Sequence, residues 1–345
     1  LLRLCAVDAP RPWEIIAITF TNKAAGELRE RLNVACGPRA ADIWAHTFHS
    51  ACTRILRRDI DRLGYSKSFA IYDEDDKKRM LTGILKDLDI DEKKFELRGI
   101  SAEISRAKDN LVTSRKYEEL AGSDYYKRIV ARVYIAYQKR MLAANALDFD
   151  DIIVKTVELL QGFDEVREYY QDKFRYVLVD EYQDTNHAQY ALCSILAGRH
   201  RNLCVVGDDD QSIYKFRGAT IANILEFEQQ YPEAVTIRLE QNYRSTKSIL
   251  DAANAVISHN QGRKGKKLWT KNASGDKITV YEALNESDEA NYVAGRIFSI
   301  SKGKNFKDFA ILYRTNAQSN ALEYAFKRNS IPYRIIGGTR FFDRA

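Results

Sequence analysis

The run Tyr176-Val177-Leu178-Val179 leads straight into Asp180-Glu181-Tyr182-Gln183-Asp184. Four continuous apolar residues suit a parallel strand buried on both faces, and in open α/β sheets ligands sit just beyond the carboxyl ends of such strands. Adjacent acids at that place can divide the work of nucleotide hydrolysis: one holds Mg²⁺, the next positions and polarises the attacking water. Asp180 and Glu181 stand in that order. The competing reading is a solvated acidic turn, and the apolar run immediately before the acids favours the chemical one.

A second run ends in the same way, at Val205-Val206-Gly207-Asp208-Asp209-Asp210-Gln211. Gly207 allows a tight turn, and the Gln211 amide offers both a donor and an acceptor, suited to sensing a γ-phosphate. Taken alone, this stretch is equally well a polar loop. Its continuation, Ser212-Ile213-Tyr214-Lys215-Phe216-Arg217-Gly218-Ala219, alternates aromatic residues with cations. That pattern suits bases stacked on Tyr214 and Phe216 while cations hold the backbone of a single strand. The alternative is an amphipathic strand that buries its aromatics.

The elements around these runs read as follows. Glu14 to Ile18 is a short β-rich run, followed by a helix through Leu32 with Thr21 or Asn22 as its cap and Gly37-Pro38 as its stop. Ile43-Trp44-Ala45 is extended and leads to Thr47-Phe48-His49-Ser50, a second candidate cap. From Ile55 to Leu147 strand-like runs disappear and amphipathic helical pattern dominates, which reads as a helical insertion. Strand signals return at Tyr176 and Leu203 with helical pattern between them, the signature of a βαβ unit and a parallel sheet. Beyond Gln241 a helix is predicted over Ser245 to His259, then a basic loop, Gly262 to Lys267, then strands at Ile278-Val280 and Ala310-Tyr313. The basic loop reads first as a solvated turn and second as a phosphate contact. Asp73-Glu74-Asp75-Asp76 reads as a helix N-terminus balancing its dipole, and Trp13, Trp44 and Trp269 as packing residues.

Composition sets outer limits. The 345 residues suggest two or three domains at roughly 150 residues each. With 45% apolar and 30% charged residues the chain has the balance of a globular protein with buried cores. No apolar run approaches the roughly 20 residues that span a bilayer, and no signal-peptide pattern is visible, so a cytoplasmic protein without membrane partners is expected. Cys5, Cys36, Cys52, Cys193 and Cys204 lack CxxC spacing, which suggests reduced thiols. His46 and His49 have no companions to complete a zinc site. A net charge of +6 permits nucleic-acid binding without demanding it.

Taken in order, these motifs resemble the UvrD/PcrA/Rep type of superfamily 1 DNA helicase. The likeness rests on Ile18 to Leu32, Thr47 to Ser50, Leu147-Asp148-Phe149-Asp150-Asp151, Val179 to Asn186, Val205 to Ala219 and Leu239-Glu240-Gln241-Asn242-Tyr243-Arg244-Ser245-Thr246. Further matches are Leu312 to Ser319 and Ile331-Pro332-Tyr333-Arg334. Any one of these could arise by chance; this many in one order could not. The resemblance implies an α/β fold: a RecA-like parallel-sheet P-loop NTPase core with an inserted helical subdomain and part of a second RecA-like domain. It places the first RecA-like domain at 1–54 and 148–240, the insertion at 55–147, and the start of the second at 241–345.

The resemblance also implies roles. Asp180 would bind Mg²⁺ and Glu181 would activate water; Gln211 would contact the γ-phosphate and couple it to DNA. Tyr243 would stack on adenine, and Arg244 would reach the γ-phosphate and stabilise transition-state charge as an arginine finger does. Phe20, Tyr214 and Phe216 would stack on bases, while Arg217 and the Thr47 to Ser50 loop, with Thr47 and His49, would help hold the strand. Phe216 stands where the family usually has tryptophan, which makes the stacking face smaller. ATP and Mg²⁺ are the implied cofactors. Single-stranded and duplex DNA are the implied partners, with accessory repair or replication proteins possible. The implied activity is ATP-dependent translocation on single-stranded DNA, with 3′–5′ polarity, in repair or replication. A helicase–nuclease subunit and a non-catalytic single-strand-binding fragment are the rival readings.

One family element is not found. A phosphate loop of the form GxxxxGK[ST] wraps phosphates with backbone N–H groups. Gly265-Lys266 and Gly303-Lys304 are the Gly-Lys pairs present; residues Asn260 and Phe298 stand five before those glycines, and neither lysine precedes Ser or Thr. The sequence therefore reads as an internal piece of a longer polypeptide, with the family's last motifs also expected outside it. Taken by itself the chain is expected to be inactive in ATP hydrolysis.

Overall fold

The computed structural model describes residues 11–213, 218–260, 265–301 and 305–336. The chain forms two compact units, Leu1–Glu240 with Val256–Lys267, and Gln241–Ala255 with Leu268–Ala345.

The first unit opens with strand β1 (Ile15–Thr19), helix α1 (Asn22–Cys36), strand β2 (Trp44–Thr47) and helix α2 (Phe48–Asp59). Thr21 is the cap of α1, its hydroxyl accepting from Ala24 N at 3.1 Å. A two-residue strand β3 (Ala70–Ile71) precedes α3 (Glu74–Asp87), α4 (Leu97–Asp109), α5 (Ser114–Ala121) and α6 (Tyr125–Ala143). Strand β4 (Ala146–Leu147) then pairs in parallel with β3. This small pair corrects the expectation that strands are absent before Leu147; a two-residue ladder leaves too short a run to carry a period. Helices α7 (Phe149–Gly162) and α8 (Asp164–Lys173) lead to β5 (Tyr176–Val179), α9 (His187–Ala197), β6 (Leu203–Val205) and the single turns α10 (Ala222–Leu225) and α11 (Phe227–Gln230).

Four strands form one parallel sheet in the order β2-β1-β5-β6. All five residues of β1 are buried, as a central parallel strand requires. Alternation along the strands divides the packing. Ile16, Ile18, Trp44, Val177 and Val179 join the large core with α2, α7, α8 and α9, while Ile15 and Ala45 pack with Leu32, Ala40 and Ile43 on the other side. The core of the sheet also takes Ile55, Leu56, Ile60, Tyr65 and Phe69. A separate helical core, from Leu81 through Tyr137 and Met141 to Ala146, holds α3, α4 and α6 together. The architecture is a RecA-like parallel sheet interrupted by a helical insertion.

That insertion is fastened to the sheet by buried charge. Lys108, at the end of α4, lies 2.7 Å from Asp148 Oδ2 and 2.8 Å from Asp151 Oδ1, with all three side chains almost fully buried. Lys77 of α3 reaches Asp150 at 3.1 Å and Asp148 at 3.7 Å, and the Tyr137 hydroxyl donates to Asp148 at 2.9 Å. Burial opposes the charge on Asp148, but the two ammonium groups outweigh it and hold its carboxyl below the ordinary range. Burial and the neighbouring Asp148 charge push the Asp151 carboxyl above the ordinary range, against the opposing pull of Lys108.

The second unit contains α12 (Lys247–Ile257, which ends in the first unit), α13 (Glu286–Ile300) and α14 (Ser319–Arg328). Ala290, Ala294, Ile297, Ala325, Phe326 and Ile331 form its core. The strands predicted at Ile278-Val280 and Ala310-Tyr313 are not formed. Val280 is 90% and Leu312 96% exposed, so these residues lack the cover that makes an apolar run fold as a strand. Asp73 caps α3, accepting from Asp75 and Asp76 N, and Trp44 is buried, while Trp13 and Trp269 are about half exposed. Cys36 is disulfide-bonded, which corrects the expectation of reduced thiols; Cys52, Cys193 and Cys204 are free.

Candidate functional site

Because the four strands are parallel, the residues that follow β1, β2, β5 and β6 share one edge of the sheet. Val179 pairs with Val205, so the segments starting at Asp180 and at Val206 leave side by side. Asp180 N still donates to Ile18 O at 2.9 Å, and Val206 N to Val179 O at 2.8 Å. The chain then breaks from the ladder at Glu181, which adopts the left-handed conformation with φ 54°. A non-glycine residue held there is uncommon and marks a site where surrounding contacts fix the backbone.

Those contacts run through Gln183. It is 1% exposed; its Nε2 donates to Glu181 Oε2 at 2.8 Å and its Oε1 accepts from Asp208 N at 2.9 Å. Tyr182 N donates to Val206 O at 2.9 Å. One buried amide thus joins the carboxylate after β5 to the turn after β6. Gly207 makes the approach possible, since a Cβ there would lie 2.7 Å from both Gln183 Oε1 and Ile224 Cδ1. Gln211 closes the turn by donating from Nε2 to Asp208 Oδ2 at 2.8 Å. The structure therefore brings Asp180, Glu181 and Gln211 into one hydrogen-bonded group.

The electrostatics suit a hard cation. Asp180 Oδ1 accepts from Glu181 N at 3.1 Å, yet burial and the adjacent Glu181 charge raise its carboxyl above the ordinary range. Burial and Glu181 raise Asp184 in the same way, and its Oδ1 is buried without a hydrogen-bond partner. A raised carboxyl, and an oxygen without a partner, are each features that a nearby hard cation such as Mg²⁺ would relieve. Carboxylate oxygens of Asp208, Asp209 and Asp210 also lie within 4.8 Å of one another. Against them sits the Lys266 ammonium, paired with Asp208 and 3.6 Å from Asp209. Burial opposes ionisation of Asp208, but its bonds to Lys266 and Gln211 hold it below the ordinary carboxylate range.

On the same edge, Phe20 follows β1, partly buried and edge-on to Phe48 at 5.4 Å between ring centroids. Thr47 is 7% exposed and its hydroxyl is committed to capping α2, accepting from Ser50 N at 3.2 Å. His49 packs edge-on to Phe149, and burial lowers its pKa, so the imidazole is neutral at pH 7 and offers a hydrogen bond and not a charge. Tyr214, Phe216 and Arg217 lie outside the described residues. Tyr243 and Arg244 belong to the second unit. There Asn242 Oδ1 accepts from Arg244 N and Ser245 N at 2.9 and 2.8 Å, and Asn272 Nδ2 donates to Tyr243 O and Ser245 O. This pinned turn leaves the Tyr243 side chain largely in solvent, with the residue 78% exposed.

The UvrD/REP helicase N-terminal domain model matches residues 1–232, and the UvrD-like helicase C-terminal domain model matches residues 237–345. The chain belongs to the UvrD/REP helicase family. The ATP-dependent DNA helicase PcrA of Bacillus subtilis (strain 168) is 54% identical over 335 residues, covering 96% of this chain and 45% of that protein. PcrA of Staphylococcus aureus (strain Mu50) is 53% identical over 334 residues, 96% of this chain and 46% of its own length. The chain spans about half the length of the curated relatives it matches. For a UvrD/REP helicase domain, sequence reading missed Gln183 and Asp184. Both lie inside the quoted Asp180 to Asp184 run, and nothing but the fold distinguishes a solvated polar residue there from a buried bridge. No helix among the described residues is long and apolar enough to cross a membrane.

Proposed function

We propose that this chain supplies the hydrolytic carboxylates and single-strand contacts of an ATP-driven, 3′–5′ DNA translocase that separates duplexes in repair or replication. The observation that carries the proposal is the Gln183 bridge. It makes the residue that would activate water and the turn that would sense the γ-phosphate one mechanical unit, and that turn runs directly into Tyr214, Phe216 and Arg217.

Bound ATP and Mg²⁺ would supply the phosphoryl group and the charge that neutralises it. Asp180 would hold the cation. Glu181, oriented by the Gln183 amide, would take the proton of the attacking water. Gln211 is held by Asp208 in readiness to exchange that bond for a phosphate oxygen. Such an exchange would move the backbone at Asp208 and so the segment beyond it, which is how occupancy would reach DNA. Tyr243 would stack on the base, and Arg244 would add positive charge most valuable in the transition state. Phe20 and His49 would meet the strand on the β1–β2 side; the buried Thr47 would act by shaping that loop through its cap.

The test is ATP turnover with and without single-stranded DNA. The full-length protein should show DNA-stimulated turnover of about 1–100 s⁻¹, the range of phosphoryl-transfer enzymes such as kinases. The 345-residue chain by itself should hydrolyse ATP negligibly, since GxxxxGK[ST] does not occur in it. Full-length turnover indifferent to DNA contradicts the proposal.

A further inference from the structure

Lys266 belongs to a basic loop that reads from the sequence as a solvated turn, yet its side chain is only 19% exposed. Its ammonium is set among the acids that follow β6, paired with Asp208, 3.6 Å from Asp209 and 3.9 Å from Asp210. Lys266 and Asp208 lie in the same compact unit. The backbone beside the lysine is tied down as well, since Gly265 O accepts from Arg238 Nη1 at 3.3 Å.

Asp208 is the residue that holds Gln211. Gln211 N donates to Asp208 O at 2.9 Å, and Gln211 Nε2 donates to Asp208 Oδ2 at 2.8 Å. The other carboxylate oxygen, Oδ1, accepts from Asp210 N at 3.0 Å and from the Lys266 ammonium. Among the described residues, Lys266 and Gln211 are thus the side chains that donate to this carboxylate, one to each oxygen. The two donors differ in what their loss would cost. If Gln211 leaves, Asp208 still has a cation beside it. If the ammonium is absent, the departure of Gln211 strips a half-buried carboxylate of its side-chain donors next to two further acids, so the amide is held back.

We propose that Lys266 is a positioning residue that, through Asp208, sets how readily Gln211 exchanges its carboxylate partner for the terminal phosphate of a nucleoside triphosphate. The inference rests on the reading of Gln211 as the residue that senses the γ-phosphate. It makes a specific demand: the effect of Lys266 is confined to nucleotides that carry a third phosphate. An ion pair that merely braces the loop would affect diphosphate and triphosphate alike.

The experiment uses the full-length protein and reads the affinities for ADP and for the β,γ-imido analogue of ATP, each with Mg²⁺, together with the melting temperature. Gln211→Ala is the reference and should weaken the analogue while sparing ADP. Lys266→Met should weaken the analogue about tenfold, comparable to one hydrogen bond to a charged group, with ADP affinity near wild type. Melting should move little, because partly exposed ion pairs contribute little to stability. Lys266→Arg keeps the charge and should restore the analogue's affinity. Lys266→Gln, polar but uncharged, should behave as methionine does and serves in its place if that variant does not fold. The double variant Lys266→Met/Gln211→Ala should bind the analogue no more weakly than Gln211→Ala, since one change acts through the other. Where Gln211→Ala behaves as described, unchanged analogue affinity in Lys266→Met overturns the inference alone. So do equal losses for the two nucleotides, or additive losses in the double variant. A Gln211→Ala protein that binds both nucleotides like wild type, or loses both equally, defeats the reading of Gln211 and the inference with it.

Discussion

Gln183 donates to Glu181 with one end of its amide and accepts from the Asp208 backbone with the other. Gln183→Ala should leave Glu181 present but unaimed. Misplacing a catalytic group by about 1 Å can cost about a hundredfold in rate, so kcat should fall by roughly that factor while ATP affinity holds. Gly207→Ala should give the same lesion from the other direction, since its Cβ would displace the Gln183 oxygen. Steady-state kinetics on the full-length protein check both; a change confined to KM would count against the bridge. At this scale the strand ends that carry the acids and Gln211 were legible, because continuous apolar runs announce them. Gln183 was not, because a lone glutamine carries no period and no charge.

The attachment of the helical insertion is a matter of paired charges drawn from elements far apart in sequence. Lys108→Met would leave Asp148 and Asp151 buried with one cation fewer and should cost about 3–5 kcal/mol, as breaking a buried pair does, read as a lower denaturant midpoint. Asp109, the last residue of α4, whose Oδ1 accepts from Asn186 Nδ2 at 2.6 Å, behaves differently. Burial and the Asp150 charge push its carboxyl up to about 7, against the smaller opposing effects of Asn186 and Lys77. An acid whose folded pKa lies above its unfolded value of about 3.9 costs the fold nothing below that lower pH and its full penalty above pH 7. Asp109→Asn should therefore raise the melting temperature more at pH 8 than at pH 5.5, by the equivalent of about 1 kcal/mol after solvent screening. An equal gain at both pH values would contradict the shifted carboxyl. The sequence announced the central strands, which are continuous apolar runs, and the helical character of residues 55–147. It did not announce the Lys77–Lys108–Asp148–Asp151 cluster: Asp148 and Asp151 stand in a recognisable motif, but their partners Lys77 and Lys108 lie 40 or more residues away and carry no local signal. Ile278-Val280 and Ala310-Tyr313 failed as strands for the converse reason: local β propensity does not form a ladder without a neighbour.

For the whole molecule, the proposed function joins hydrolysis at one sheet edge to single-strand binding through the turn after β6. The chain belongs to the UvrD/REP helicase family, and the division into two units gives Tyr243 and Arg244 a frame of their own. The most direct measurement follows ATP binding, single-strand binding and hydrolysis together in full-length Glu181→Gln. The amide keeps the shape of the carboxylate and can still meet Gln183, but it cannot take a proton from water. Both ligands should bind with affinities near wild type while DNA-stimulated turnover falls by at least about a hundredfold. Loss of ATP binding with residual turnover that simply tracks occupancy would make Glu181 a structural residue, and the account of this edge as a hydrolytic site would be wrong.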